Sequence, residues 1–259
     1  MISIKELIDR FLFYVSVPKC VSCDEILVYG EKALCSNCYK EYLEQKKRQC
    51  SRCAKKLSAC CCSNFYLERN RVKSLIKVYR YNPKNQDLPG NRLIYSLKQD
   101  HRRDVFEFLA AELSMAICQN LDILGKEDRY IITFVPRRAK AIREYGYDHA
   151  KELAKRVADI TGIRFCEILL SLTEKAQKEV MQDERRKNAK YSLLKNAPDT
   201  LKGLTVILID DIVTTGSSLA ACVGALRVLK PKRVVGASLA IAYKDSYIKP
   251  KPQYYYRDN

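Results

Sequence analysis

Apolar residues recur along this chain with two periods, that of an amphipathic helix and that of a buried strand. Ile4, Leu7, Ile8, Phe11, Leu12 and Val15 stand at helical spacing, so the first residues predict a helix. Residues 72–81, VKSLIKVYRY, alternate as a strand does, and the Pro- and Gly-bearing stretch 82–91 breaks the chain after them. Leu93, Ile94 and Leu97, followed by Val105, Phe108, Leu109, Leu113, Ala116 and Ile117, predict a long amphipathic helix that covers one face of a sheet. Residues 130–135, YIITFV, read as a buried strand ending at Pro136, Arg137 and Arg138, after which helical spacing resumes through Ala150, Leu153, Ala154, Val157 and Ala158 and stops at Gly162. Residues 163–172 and 233–242 predict further strands, and the β-branched run 206–209 suits a parallel strand buried on both faces. Helices and strands therefore alternate. The expected class is α/β, a parallel sheet flanked by helices.

The run 206–209 stops abruptly at two adjacent carboxylates, Asp210 and Asp211, and ligands of such sheets sit at that end of the strands. After Ile212 and Val213 come Thr214, Thr215, Gly216, Ser217 and Ser218, then the apolar helix 219–229. Small hydroxyls and a permissive Gly before a helix start form an anion cradle, because the first N–H groups are unpaired and lie at the positive end of the helix dipole. The acids are then placed to take sugar hydroxyls, contacting a ligand at a loop rather than supporting the core. Two other readings compete. A Walker-B-like magnesium site needs a GxxxxGK[ST] loop elsewhere, which this chain lacks, as it lacks GxGxxG; a solvated turn with a Ser/Thr helix cap is the plainer alternative.

With 259 residues and 47% hydrophobic content, the chain can bury a sizeable core. Glu6 and Asp9 interrupt the N-terminal apolar spacing, and no apolar run approaches the roughly 20 residues that span a bilayer, so no transmembrane segment and a cytoplasmic location are expected. In a reducing compartment, CxxC spacing signals metal rather than disulfide. Nine of the twelve cysteines lie between Cys20 and Cys62. Cys20, Cys23, Cys35 and Cys38 form two knuckles that can close a tetrahedron around structural zinc. Cys50 and Cys53 form a third knuckle, and its partners come from Cys60, Cys61 and Cys62, with Cys60 and Cys62 preferred because adjacent thiolates rarely share one ion. One or two zinc ions are expected. Cys118, Cys166 and Cys222, in apolar patterns, read as core filler.

The formal charge of +17 favours nucleic acid, phosphorylated ligands or an anionic surface. Lys46, Lys47, Arg48, Arg52, Lys55 and Lys56 crowd the third knuckle. They are either a solvated face or a surface that neutralises phosphates without reading bases.

The segment DDIVTTGSSL resembles the phosphoribosyl-pyrophosphate (PRPP) loop of type I phosphoribosyltransferases. The chain from about Cys20 to Ala242 resembles the ComF competence proteins, in which an N-terminal zinc module precedes a type I phosphoribosyltransferase-like domain. Further residues carry that resemblance: Leu93, Ile94, Leu97 and Lys98 as LIxxLK; Val135, Pro136, Arg143 and Gly146 at a strand ending in VP; and Gln177, Val180, Arg185 and Asn188 in a QxxL…RxxN segment. The resemblance implies a helix and zinc module over residues 1–70, a phosphoribosyltransferase-like domain over 71–245 and a tail over 246–259. It implies PRPP bound with magnesium by Asp210, Asp211 and Thr214 to Ser218, with Arg137, Arg138 and Lys140 toward the pyrophosphate and Arg185 and Asn188 on a hood. The function implied is binding of PRPP and handling of incoming single-stranded DNA during natural transformation, beside protein partners of the competence machinery. The alternative is a magnesium-dependent phosphoribosyltransferase acting on an unidentified acceptor. Where the family reads RGFNQA, this chain reads Tyr145, Gly146, Tyr147, Asp148, His149, Ala150. His149 is there either an acid/base group or a solvated or capping residue at a helix start.

Overall fold

The structure, a computed structural model, describes residues 4–125, 128–172 and 191–242. Helix α1 (Ile4–Ser16) forms where the spacing predicts, but its apolar face points outward: Ile4, Leu7, Ile8, Phe11, Leu12 and Val15 are all exposed. Helix α2 (Ser36–Lys46) and the short α3 (Phe65–Arg69) follow within the cysteine-rich stretch. Strand β1 (Leu75–Arg80) is shorter than the alternating run suggested.

The predicted long helix is two helices. Helix α4 (Pro89–Gln99) ends at Asp100, His101 takes a left-handed φ of 51°, and α5 (Arg103–Leu124) begins anew. Strand β2 (Arg129–Phe134) is followed by a short α6 (Ala139–Tyr145), which the basic loop had not announced, and by α7 (His149–Thr161), closed by Gly162 at φ 70°. The region 163–172 splits. Strand β3 (Arg164–Phe165) joins the main sheet, while β4 (Leu169–Ser171) pairs antiparallel with β5 (Tyr191–Leu193) in a separate ribbon. Strand β6 (Leu204–Val213), α8 (Ser217–Leu226) with a 3₁₀ turn over Arg227–Leu229, and β7 (Arg233–Ile241) are the last elements of the described residues.

The five strands β1-β7-β6-β2-β3 form one parallel sheet flanked by helices. Because side chains alternate across a strand, β6 feeds two cores. Ile207 and Ile209 join α4, α5 and α7 on one face; Val206 and Leu208 join α8 and the ribbon on the other. Each cysteine group shares one of these cores. Cys20, Cys35 and Cys38 lie with the first, and Cys50 and Cys60 with the second. Cys222 is buried as its pattern predicts, whereas Cys118 is exposed on α5.

At the sheet's other end Asp128 joins three strands: it accepts from Thr205 Oγ1 at 2.8 Å and pairs with Lys232 and Arg233 at 2.5 and 2.6 Å. The cysteine-rich stretch is tied to α5 by a buried polar contact. The Tyr42 hydroxyl donates to Glu112 Oε2 at 2.8 Å, and Lys46 pairs with the same carboxylate. Burial and then the Glu112 charge push the Tyr42 hydroxyl well above its ordinary pKa, so it stays a donor. Tyr42→Phe should keep the fold, since Glu112 retains Lys46, and lower unfolding free energy by about 1–2 kcal/mol in a denaturant titration.

Candidate functional site

Strand β6 does not stop at the acids. Its ladder to β7 runs on through Asp210 opposite Ser238 and Ile212 opposite Ala240, to Val213 opposite Ile241. The acid pair is therefore part of the central strand, and the expectation that it stands clear of the core is corrected. The Asp211 carboxylate is paired with Arg137 at 2.6 Å and Lys98 at 3.3 Å, and it accepts from the Ile212 N–H at 2.7 Å. Burial raises its pKa, but the charges of Lys98 and Arg137 outweigh that and hold Asp211 below the usual carboxylate range. Asp210 accepts from the Asp211 N–H at 3.0 Å; burial, then the neighbouring Asp211 charge, raises it well above that range. Two adjacent acids are thus driven apart in proton affinity.

After Val213 the chain turns at Gly216, whose φ of 89° is a left-handed conformation that Gly adopts without strain, and α8 starts at Ser217. Thr214 and Thr215 are exposed, Ser217 and Ser218 partly so. The Thr215 hydroxyl lies 3.2 Å from Ser217 Oγ and accepts from the Ser217 N–H at 3.3 Å. A hydroxyl-rich loop at the start of a ten-residue helix thus follows the acid pair directly, as an anion-binding arrangement requires. Tyr191 of β5 flanks this loop; burial is the main influence raising its pKa, and its hydroxyl interacts with Ser218.

The cations divide. Arg137 is brought to the acids, while Arg138 and Lys140 are exposed at the start of α6 and make no contact with Asp210 or Asp211. Arg185 and Asn188, with Gln177 and Val180, lie outside the described residues, as does the tail 246–259. Sequence reasoning gave Lys98 no place at this site. A buried acid needs a counter-charge, but that requirement alone does not single out Lys98.

The YGYDHA stretch holds Arg137 and Lys98 in place. Asp148 caps α7 by accepting from Ala150 and Lys151 N–H at 3.1 and 3.2 Å, and its other oxygen accepts from the Arg137 N–H at 2.8 Å. The Tyr147 hydroxyl donates to the Leu97 carbonyl at 2.5 Å, and His149 Nε2 lies 3.0 Å from the Lys98 carbonyl, so both grip the end of α4 that carries Lys98. His149 is buried, not solvated, and Asp148 is the cap. Burial, then the Arg137 charge, lower the His149 pKa to about 4, so it is neutral near pH 7 and anchors the backbone.

Both cysteine groups assemble. Within each of Cys20, Cys23, Cys35, Cys38 and Cys50, Cys53, Cys60, Cys62 the sulfurs lie within 4.8 Å of one another. Four sulfurs bound to one zinc at tetrahedral corners stand about 3.8 Å apart, and the Cys23–Cys35 separation of 3.7 Å fits that spacing. Cys61 is turned away, donating to Asn120 Oδ1 at 2.9 Å. The knuckles repeat one backbone pattern: Asp24 N–H donates to the Cys20 carbonyl and Ala54 N–H to that of Cys50, with left-handed φ at Asp24 and Ala54. Beside the second group, buried Lys77 donates to the Cys62 carbonyl at 2.6 Å and to Cys60 Sγ at 3.3 Å. A zinc ion with four thiolates carries two negative charges, and Lys77 is the cation placed to offset them.

Of the six cations around the third knuckle, Arg48, Lys55 and Lys56 are exposed, and the other three have acidic partners. Lys46 is paired with Glu112, Arg52 with Glu68, and Lys47 with Glu44 at 2.5 Å. A cavity of about 570 Å³ at the opposite end of the sheet from the acids is lined by Arg71, Lys73, Arg227, Lys230, Lys232 and Arg233, the last two paired with Asp128. Arg71 and Lys230 are held there at left-handed φ of 66° and 53°.

Residues 141–258 match the family model described as phosphoribosyl transferase domain, a stretch that includes Asp210 to Ser218 and leaves out Arg137, Arg138, Lys140 and every cysteine assigned to metal. The match covers less than half of the chain, and with the five-stranded parallel sheet it supports a phosphoribosyltransferase-like fold. No curated protein matches the chain. Among solved structures it is similar to a purine phosphoribosyltransferase from Pyrococcus horikoshii, at 19% identity and TM-score 0.33, over 53% of this chain and 82% of that one. It is also similar to the protein TT1426 from Thermus thermophilus, at 17% identity and TM-score 0.33 over 53% and 81%, and to an adenine phosphoribosyltransferase from Saccharomyces cerevisiae, at 14% identity and TM-score 0.34 over 58% and 78%.

The acids should separate in melting experiments between pH 5 and 8. Asp210, with its pKa raised by folding, contributes fully below the ordinary carboxylate value and loses that contribution as pH rises through the raised one, so Asp210→Asn should gain in melting temperature relative to the parent as pH rises. Asp211, with its pKa depressed, contributes above the ordinary value, so Asp211→Asn should lose about 2 kcal/mol at pH 7 by leaving two cations without their acid. Elemental analysis of the folded chain should give two zinc ions.

Proposed function

We propose that Asp210, Asp211 and the loop from Thr214 to Ser218 bind PRPP with magnesium, and that the chain is a ComF-type competence protein that handles incoming single-stranded DNA during natural transformation in the cytoplasm. One observation carries the PRPP reading: an acid pair at the C-terminal end of the central strand runs directly into a hydroxyl- and Gly-bearing loop that begins a helix. The carboxylates take ribose hydroxyls, and the loop with the first turn of α8 takes the 5-phosphate. Arg137, with Arg138 and Lys140 close behind it in sequence, faces the pyrophosphate. Magnesium prefers hard oxygen donors, and Asp210 and Asp211 are the residues suited to it; when bound it would neutralise charge on the pyrophosphate.

Support for the DNA reading comes from the net charge of +17 and from the basic cavity, whose cations suit a phosphate backbone without base readout. Lys73 also lines a neighbouring cavity with Lys55, beside the Arg52–Glu68 pair. The exposed apolar face of α1 suits a protein partner from the same machinery. Among the described residues no helix is long and apolar enough to cross a membrane.

Calorimetry with PRPP and magnesium should show binding that Asp210→Asn with Asp211→Asn abolishes; unchanged affinity in that variant removes the PRPP assignment. Pyrophosphate released on incubation with candidate acceptors would favour the transferase alternative. Single-stranded DNA binding should weaken with salt at a log-log slope of about −0.7 per phosphate neutralised, with little sequence preference. Gln at Arg71, Lys73, Arg227 and Lys230 should lower both affinity and slope, while Gln at Lys46 and Arg52, already paired with acids, should change them little. The reverse ranking would return the DNA surface to the third knuckle.

A further inference from the structure

The chain leaving the second cysteine group runs straight to the loop beside the acids. Cys62 is followed by Ser63 and by Asn64, which has two partners. Its Oδ1 accepts from the Leu67 N–H at 2.8 Å and so caps α3, while its Nδ2 donates to the Thr215 carbonyl at 3.2 Å. Leu67, fully buried, closes on the turn: a Cβ added at Gly216 would lie 2.6 Å from Leu67 Cγ. Gly216 is thus required by its φ and also by this contact. Further along, the Asn70 carbonyl accepts from Arg227 at 3.0 Å, so the 64–70 segment grips both ends of α8.

The other side of this segment is fixed at the cysteines. Cys62 bridges to Ser74, the Cys61 carbonyl accepts from the Leu75 N–H at 3.0 Å, and Lys77 holds the Cys60 and Cys62 carbonyls at 3.2 and 2.6 Å. The four ligand positions lie within residues 50–62, and metal bound to them would tie this stretch into one rigid unit beside the core it shares.

We infer that the Cys50, Cys53, Cys60 and Cys62 centre positions the loop 214–218: metal held there fixes residues 62–67, and Asn64 and Leu67 transmit that order to Thr215 and Gly216. Asn64 and Leu67 are positioning residues, and the cysteine group on the other face of the sheet has no such path. The ligand consequence rests on the reading that this loop holds a phosphate; the positioning itself does not.

Asn64→Asp separates the two roles of Asn64, because Asp caps a helix as well as Asn does but cannot donate to Thr215. In the zinc-loaded full chain, amide hydrogen exchange at residues 214–218 is measured by mass spectrometry, beside zinc content and PRPP titration with magnesium. Asn64→Asp should leave zinc content and α3 unchanged, speed loop exchange by roughly five- to tenfold and weaken PRPP binding by a similar factor, the effect of one lost hydrogen bond. Cys53→Ser, which removes the second metal, should speed loop exchange at least as much. Cys23→Ser, which removes the first, should leave the loop at the parent rate. Parent-like loop exchange in either Asn64→Asp or Cys53→Ser overturns the inference, as does equal acceleration by Cys23→Ser. A parent chain that binds no PRPP while its loop responds as described removes the phosphate reading and leaves the positioning standing.

Discussion

A carboxylate pair at the end of a strand buried on both faces is costly, and much of this structure is arranged around that cost. Taking Asp210 and Asp211 out of water disfavours two adjacent negative charges, so Asp210 holds its proton more tightly and Asp211 is held charged by cations. Asp211 finds Lys98 at the end of α4 and Arg137 after β2. Those cations lie far apart in sequence, so the acid fixes the relative positions of three elements. Asp148, Tyr147 and His149 complete the arrangement from α7 and the turn before it by holding the backbone that carries each cation. In this chain Asp148 serves as the cap of α7 and His149 holds the Lys98 backbone.

The cysteine groups are built into the two cores of the sheet rather than strung before it. The first lies on the α5 face, where Tyr42 and Glu112 join it to the long helix; the second lies on the α8 face, where Lys77 and Asn64 join it to β1 and to the loop. Metal bound in either group would have a structural part on that side. A four-thiolate zinc is a compact dianion, and placing it against a buried lysine lowers the penalty of burying both.

Charge is distributed in a way that the total of +17 conceals. Lys46, Lys98, Arg52 and Arg137 are tied to acids, and their work is internal. Arg71, Lys73 and Lys230 are directed at a shared cavity, and two of these three occupy a backbone conformation that non-Gly residues rarely adopt.

The order of helices and strands, the parallel sheet, the acid pair with its loop and the two sets of cysteine ligands were all legible in the sequence, because each is a local pattern: a period, a punctuation mark or a spacing. Even the choice of Cys60 and Cys62 over Cys61 followed from local geometry. What the sequence did not reveal depends on residues far apart in the chain. The extension of β6 through its acids is set by pairing with β7, the break at His101 by the packing of α4 and α5, and the outward apolar face of α1 by the lack of a neighbour against it among the described residues. Lys98 joined the site because only the folded chain shows which cation reaches a buried carboxylate. Asn64 and Leu67 read as ordinary cap and core residues until folding sets them against Thr215 and Gly216, about 150 positions away, a contact that follows from no local rule of spacing.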